Sequence, residues 1–144
     1  MAKRILIVED NSELLELLRL SLKQAGFKVL TASNGVSALE SARSAAPDLV
    51  VLDLVLPELD GFAVCEILRR EPATSAIPIV ILTGLSTEFG RLAGLASGAD
   101  EYVMKPVGAE MLISKIKHLL RRLDKSRRTR PEAVGKLACA SAPR

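Results

Sequence analysis

The chain has 144 residues, 49% of them hydrophobic and 26% charged, a composition that suits one compact domain plus a tail and excludes fibrous, disulfide-framework and membrane-spanning classes. Aromatic residues make up only 3%, which argues against modules that stack nucleobases on aromatic rings and leaves Leu, Val, Ile and Ala to build the core. The net charge of +3 is unevenly placed. From Ser126 onward five basic residues face one acid, whereas the remainder carries fifteen against sixteen, so the folded part has no bulk attraction for nucleic acid.

Short apolar runs alternate with amphipathic stretches along the chain. Residues 5–8 open as a first strand, followed by Leu14, Leu15, Leu18, Leu22 and Ala25 at helical spacing up to a stop at Gly26. A second strand is expected over 29–32 and a second helix over 36–45, ending before Pro47. Residues 49–52 give a third strand and 62–70 a third helix. The fourth pair is a strand over 79–82 and an Ala- and Gly-rich helix over 87–97, closed by Gly98. A fifth strand over 102–104 contains Met104, which reads as core. The last helix carries Leu112, Ile116, Leu119, Leu120 and Leu123 on one face.

The first, third and fourth strands are almost uninterrupted apolar runs, as expected of strands buried on both faces of a parallel sheet. Five β-α units in strict alternation imply an α/β fold with right-handed crossovers and helices on both faces. From Ser126 the pattern dissolves into Arg, Pro, Gly, Ala and Ser, the composition of a linker or disordered tail. Cys65 lies in a helical pattern and Cys139 in the tail, neither at ligand spacing to another Cys or a His, so a reducing cytoplasm fits. The opening Met-Ala-Lys-Arg is followed by four apolar residues and two acids, too short a run for a signal peptide, and no run reaches membrane-span length.

Ligands in open parallel sheets gather at the carboxyl ends of the strands. At those ends stand Glu9 and Asp10, then Asp53, Thr83 and Lys105. Three carboxylates from two strands converge there and cannot all stay ionised without a counter-charge. A hard divalent cation such as Mg²⁺, content with one or two carboxylates, a carbonyl and water, meets that need. With the Lys105 ammonium and the Thr83 hydroxyl, such a site can hold a phosphoryl group in transfer. Each residue alone has a plainer reading. Asp53 could cap a loop, Asn11 or Ser12 cap the first helix, and Thr83 be an ordinary strand residue. The sole His, His118, reads as solvated surface, and Cys65 as helix packing.

With these residues placed, the chain resembles the response-regulator receiver domains, including the single-domain chemotaxis regulator. The marks are Ile5-Leu6-Ile7-Val8-Glu9-Asp10, Asp53 with Pro57, Asp60 and Gly61, Pro78 through Thr83-Gly84, Gly98-Ala99-Asp100-Glu101-Tyr102, and Lys105-Pro106. Each is weak alone; five in order are specific. The resemblance implies a flavodoxin-like doubly wound (βα)5 three-layer sandwich of sheet order 2-1-3-4-5, with residues 1–125 as the receiver domain and 126–144 as a basic tail or linker.

The resemblance further implies that Asp53 is the phosphoacceptor, and that Asp10, Asp53 and the Val55 carbonyl bind Mg²⁺, with Mn²⁺ as a substitute. Glu9 would act through water or as a supporting acid. Thr83 and Lys105 would meet the phosphoryl oxygens, and Thr83 and Tyr102 would form the switch. Pro57 and Gly61 would shape the turn after Asp53, and Pro106 would be the family's cis-proline. The implied partners are a sensor histidine kinase or histidine phosphotransfer protein and a downstream target on the face formed by the fourth helix, fifth strand and fifth helix, with a homodimer through that face also open. Neither nucleic acid nor membrane is expected as a partner. Val55 and Leu85, apolar at positions flanking the phosphoryl group, suggest slow self-dephosphorylation. The competing reading is a small Mg²⁺-dependent phosphohydrolase with an Asp nucleophile, disfavoured because Val55 stands where a second acid is needed. A DNA-binding role for the tail is disfavoured because no helix-turn-helix pattern follows Lys125.

Overall fold

The computed structural model describes residues 2–84 and 88–129. Five strands, β1 (Arg4–Val8), β2 (Lys28–Ala32), β3 (Leu49–Leu52), β4 (Ile79–Thr83) and β5 (Glu101–Met104), alternate with five helices. These are α1 (Ser12–Gln24), α2 (Gly35–Ala45), α3 (Gly61–Arg70), α4 (Glu88–Ala96) and α5 (Ala109–Thr129). All four strand pairings are parallel, in the order β2-β1-β3-β4-β5. This is the expected doubly wound sandwich. The α5 helix continues four residues past Lys125, into the basic stretch that sequence composition sets apart. The remainder of the tail lies outside the described residues. Among the described residues no helix is long and apolar enough to cross a membrane.

The two-residue period of the strands sorts their side chains into two cores. Ile5, Ile7, Leu49, Val51, Val80 and Leu82 pack with Leu18 and Leu22 of α1 and Leu112, Ile116 and Leu119 of α5. Leu6, Val8, Val50, Leu52, Ile79 and Ile81 pack on the other face with Ala38, Leu39 and Ala42 of α2 and Val64, Cys65 and Leu68 of α3. Strands apolar at every position are what a sheet covered on both faces requires. Cys65 is fully buried there, as expected of helix packing, and His118 is exposed. Met104 departs from expectation: it is 48% exposed. It is the last residue of β5, an edge strand paired only with β4, where cover runs out.

Three helices, α1, α2 and α3, have an oxygen-bearing side chain at the N-cap. Asn11 accepts from the Leu14 N–H at 3.0 Å, Asn34 from Ser37 at 2.8 Å, and Asp60 from Ala63 at 2.9 Å. Caps of this kind contribute roughly 0.5–2 kcal/mol each.

The carboxyl end of α4 is tied down by Arg69 of α3. Its guanidinium donates to the carbonyls of Gly98 (2.8 Å), Ser75 (3.1 Å) and Ile77 (2.5 Å) and to Asp100 Oδ2 (2.8 Å), which also accepts from the Ile79 N–H at 2.8 Å. One side chain thus joins the loops before β4 and β5. Arg69→Ala strands these acceptors, and urea unfolding is expected to show a loss of about 2–3 kcal/mol. Arg69→Lys should recover only part of that, because an ammonium lacks the fork that reaches all four acceptors.

Candidate functional site

The sheet ladder itself positions the site. Val8 pairs with Leu52, and Thr83 with Met104. One residue further on, the ladder continues. The Asp53 N–H donates to the Val8 carbonyl (3.1 Å), the Glu9 N–H to the Ala32 carbonyl (3.0 Å), and the Lys105 N–H to the Thr83 carbonyl (2.7 Å). Glu9, Asp53 and Lys105 are therefore held by backbone hydrogen bonds at three strand tips, not carried on free loops.

Their side chains converge. The Lys105 ammonium donates to Glu9 Oε1 at 2.7 Å and to Asp53 Oδ2 at 3.1 Å. The other Glu9 oxygen accepts from the Asn11 N–H at 3.2 Å, and the other Asp53 oxygen from the Val55 N–H at 3.2 Å. Glu9 and Asp53 are buried, at 2% and 4% exposure, while Asp10 is exposed. Ligand oxygens of Glu9, Asp10 and Asp53 lie within 4.8 Å of one another.

Burial pushes the Glu9 carboxyl above its ordinary range, opposed by the Lys105 and Asn11 hydrogen bonds and reinforced by the Asp53 charge. Burial also works to lower the Lys105 ammonium, but the hydrogen bonds and charges of Glu9 and Asp53 outweigh it, and the net shift is upward. Lys105 stays charged, so three carboxylates face one ammonium. A divalent cation would supply the missing charge, and an all-oxygen donor set suits a hard ion such as Mg²⁺. Asp10, Asp53 and Glu9 are the side chains that could hold it.

The remaining expected residues sit around this group. Thr83 is fully buried at the tip of β4. Val55 is 58% exposed on the loop after β3. The Lys105–Pro106 bond is cis. Pro57 lies in the same loop, where its carbonyl accepts from the Leu59 N–H at 2.8 Å. The Gly61 N–H donates to the Leu54 carbonyl at 2.9 Å, and a Cβ at Gly61 would overlap the Asp53 carbonyl oxygen. Only glycine lets the loop turn this closely under the acid. Tyr102 stands apart from the acids, lower on β5, opposite Ile81. Leu85 lies outside the described residues.

Sequence reasoning missed three contributors: the Asn11 N–H that fixes Glu9, the Arg69–Asp100 tie, and the contact between Gly94 and Tyr102. The first is a backbone group, invisible in composition. The second joins residues 31 apart. The third was hidden because Gly94 reads only as a flexible residue.

The model of the response regulator receiver domain matches residues 5–117. The chain is 42% identical over 122 residues to the alkaline phosphatase synthesis transcriptional regulatory protein PhoP of Bacillus subtilis, covering 85% of this chain and 50% of that one. It is 40% identical over 122 residues to the DNA-binding dual master transcriptional regulator RpaA of Synechocystis sp., covering 85% and 51%. Among solved structures it superposes on the signal receiver domain of a signal transduction histidine kinase from Syntrophus aciditrophicus with a TM-score of 0.78 and 36% identity, over 83% of this chain and 91% of that one.

The chain belongs to the response regulator receiver domain family, the signalling domain of two-component systems. It spans about half the length of the curated relatives it matches. Their names include DNA-binding and transcriptional regulators, so the expectation of no nucleic-acid partner extends only to the residues of this chain. The match gives no support to the phosphohydrolase alternative.

The charge balance has a testable consequence. Lys105→Met leaves Glu9 and Asp53 buried against each other without their cation, a loss of about 1–3 kcal/mol. In metal-free buffer its melting temperature is expected to fall, and millimolar Mg²⁺ to restore it by a larger margin than in the parent protein.

Proposed function

We propose that Asp53 accepts a phosphoryl group from the phosphohistidine of a sensor histidine kinase or histidine phosphotransfer protein, and that the resulting acyl phosphate switches the α4-β5-α5 surface. The observation carrying this reading is the buried Asp53 carboxylate at a strand tip, 3.1 Å from the Lys105 ammonium and clustered with two further acids. Asp10, Asp53 and the Val55 carbonyl would hold Mg²⁺, or Mn²⁺ in its place, with Glu9 supporting them through water. The ion would neutralise charge on the acceptor and on the incoming phosphoryl oxygens.

An Asp53 oxygen attacks phosphorus in line as the phosphorus–nitrogen bond breaks and the imidazole departs. Lys105 moves from its carboxylate partners to a phosphoryl oxygen, and the Thr83 hydroxyl donates to another. The ladder bonds at Glu9, Asp53 and Lys105 keep these groups in place, so little reorganisation accompanies transfer. The chain promotes only its own phosphorylation and dephosphorylation.

The acyl phosphate places new charge and acceptor oxygens at Asp53. Thr83 follows them, and Tyr102, on the same sheet face and already beside α4 at Gly94, rotates further inward. The change is a shift between two populated states. A downstream target, a second copy or an attached output domain would read that face, and the whole would operate in the cytoplasm, where histidine kinases present their phosphohistidine.

Incubation with Mg²⁺ and acetyl phosphate or phosphoramidate tests the reading. Intact mass should rise by one phosphoryl group in the parent protein and not in Asp53→Ala. A gain that persists in Asp53→Ala, or a parent protein inert with every small donor, would exclude Asp53 as the acceptor.

The exposed, apolar Val55 cannot orient an attacking water. Val55→Asn combined with Leu85→Glu is expected to shorten the lifetime of the phosphorylated form several-fold, followed by decay of the phosphorylated mass after donor removal. An unchanged or longer lifetime counts against this account.

A further inference from the structure

Tyr102 is the only tyrosine, and the chain has no tryptophan. It pairs with Ile81 across the β4–β5 ladder and packs against the core on the α2–α3 side of the sheet, whereas the next residue, Val103, enters the opposite core. The two-residue period therefore puts Tyr102 on the same side as Thr83, two residues beyond Ile81.

What covers the ring is the backbone of α4. A Cβ added to Gly94 would lie 2.8 Å from Cδ2 and 2.9 Å from Cε2 of Tyr102, and 3.2 Å from Cδ1 of Ile81. Real Cβ atoms do not approach ring carbons so closely. One edge of the phenol ring thus occupies the volume that a methyl group would fill on any other residue at position 94. Gly35, Gly61 and Gly98 are similarly tight against other groups, whereas a Cβ at Gly84 or Gly108 would meet nothing within 4 Å; at Gly94 the group met is the Tyr102 ring.

Glycine inside a helix costs roughly 0.5–1 kcal/mol relative to alanine, and Gly94 lies inside α4, so its cost needs an offsetting gain. Of the three groups meeting at this point, Ile81 is fully buried, and the end of α4 is tied by Arg69 through Gly98. The Tyr102 side chain is half-buried and is the nearest of the three to solvent. Burial raises its phenol above the ordinary range, consistent with the helix cover.

We infer that Gly94 is a positioning residue for the switch: its missing side chain is the berth of the Tyr102 ring, and any side chain at 94 expels the ring toward solvent. The inference rests on the proposed switching role of Tyr102 only for its signalling consequence. The steric coupling stands without it.

Two measurements test the coupling. Tyrosine emission reports on Tyr102 alone, so Gly94→Ala should raise its quenching by acrylamide and move the phenol titration down toward the ordinary tyrosine value. Stability supplies the second, independent of how far the ring moves. In a Tyr102→Ala background, Gly94→Ala should raise the melting temperature by about 2–4 °C, the ordinary helix gain. With Tyr102 present the same substitution should give no gain or a loss. Equal effects in both backgrounds, or unchanged quenching in a folded Gly94→Ala protein, would overturn the inference, because α4 would then be yielding in place of the ring.

A third arm separates this from the switch itself. Gly94→Ala should still gain a phosphoryl group from acetyl phosphate at the parental rate. Beryllofluoride should lower tyrosine quenching in the parent and not in Gly94→Ala. If beryllofluoride leaves the parent unchanged while the stability cycle shows the coupling, the switch reading fails and the berth remains.

Discussion

The Lys105 ammonium bridging Glu9 and Asp53 is the contact on which the rest of this molecule turns. Two charges about 4 Å apart interact by roughly 4 kcal/mol at the effective dielectric of a protein surface and by more where water is excluded, so two buried carboxylates without a cation between them would push the strand tips apart. Lys105 prevents that, and it can do so only because β1, β3 and β4–β5 deliver their ends to one point in fixed register. Yet a single ammonium does not balance Glu9, Asp10 and Asp53. The three acids cluster closely enough that a divalent ion could be held among them beside the lysine.

The two faces of the sheet serve this arrangement differently. On one, α1 and α5 close over Ile5, Ile7, Val51 and Val80 with an aliphatic core. On the other, α2 and α3 do the same around Val50, Leu52 and Ile79, but α4 covers its part of the sheet over a tyrosine ring and is tied at its carboxyl end by Arg69. Interiors packed to crystal-like density do not deform continuously, so small shifts are amplified where an element has two discrete resting places. The Tyr102 ring is the half-buried group at this point, on the same side of the sheet as the buried Thr83, and the switching role proposed for it would require such a second place.

Much of this was legible in the sequence. Apolar runs over 5–8, 49–52 and 79–82 fixed the buried strands to within a residue. The acids and lysine at strand ends located the site, because a parallel sheet places all its carboxyl ends on one edge. What stayed hidden depended on partners distant in sequence. Arg69 reads as an exposed helical arginine until the Gly98 and Asp100 loop is folded against it. Gly94 reads as one more small residue of an Ala- and Gly-rich helix until the ring beneath it is seen. Met104 misled because an apolar residue in a strand does not reveal that the strand is an edge.

The close approach of Gly61 to Asp53 carries an evolutionary implication. A loop that must pass beneath an acid without any side chain cannot diversify at that point without displacing the acid itself. Chemical variety must then enter through neighbours that look outward, such as the exposed Val55. Under the acceptor role proposed for Asp53, a change in the lifetime of the signal would come from the rim, with the floor left untouched.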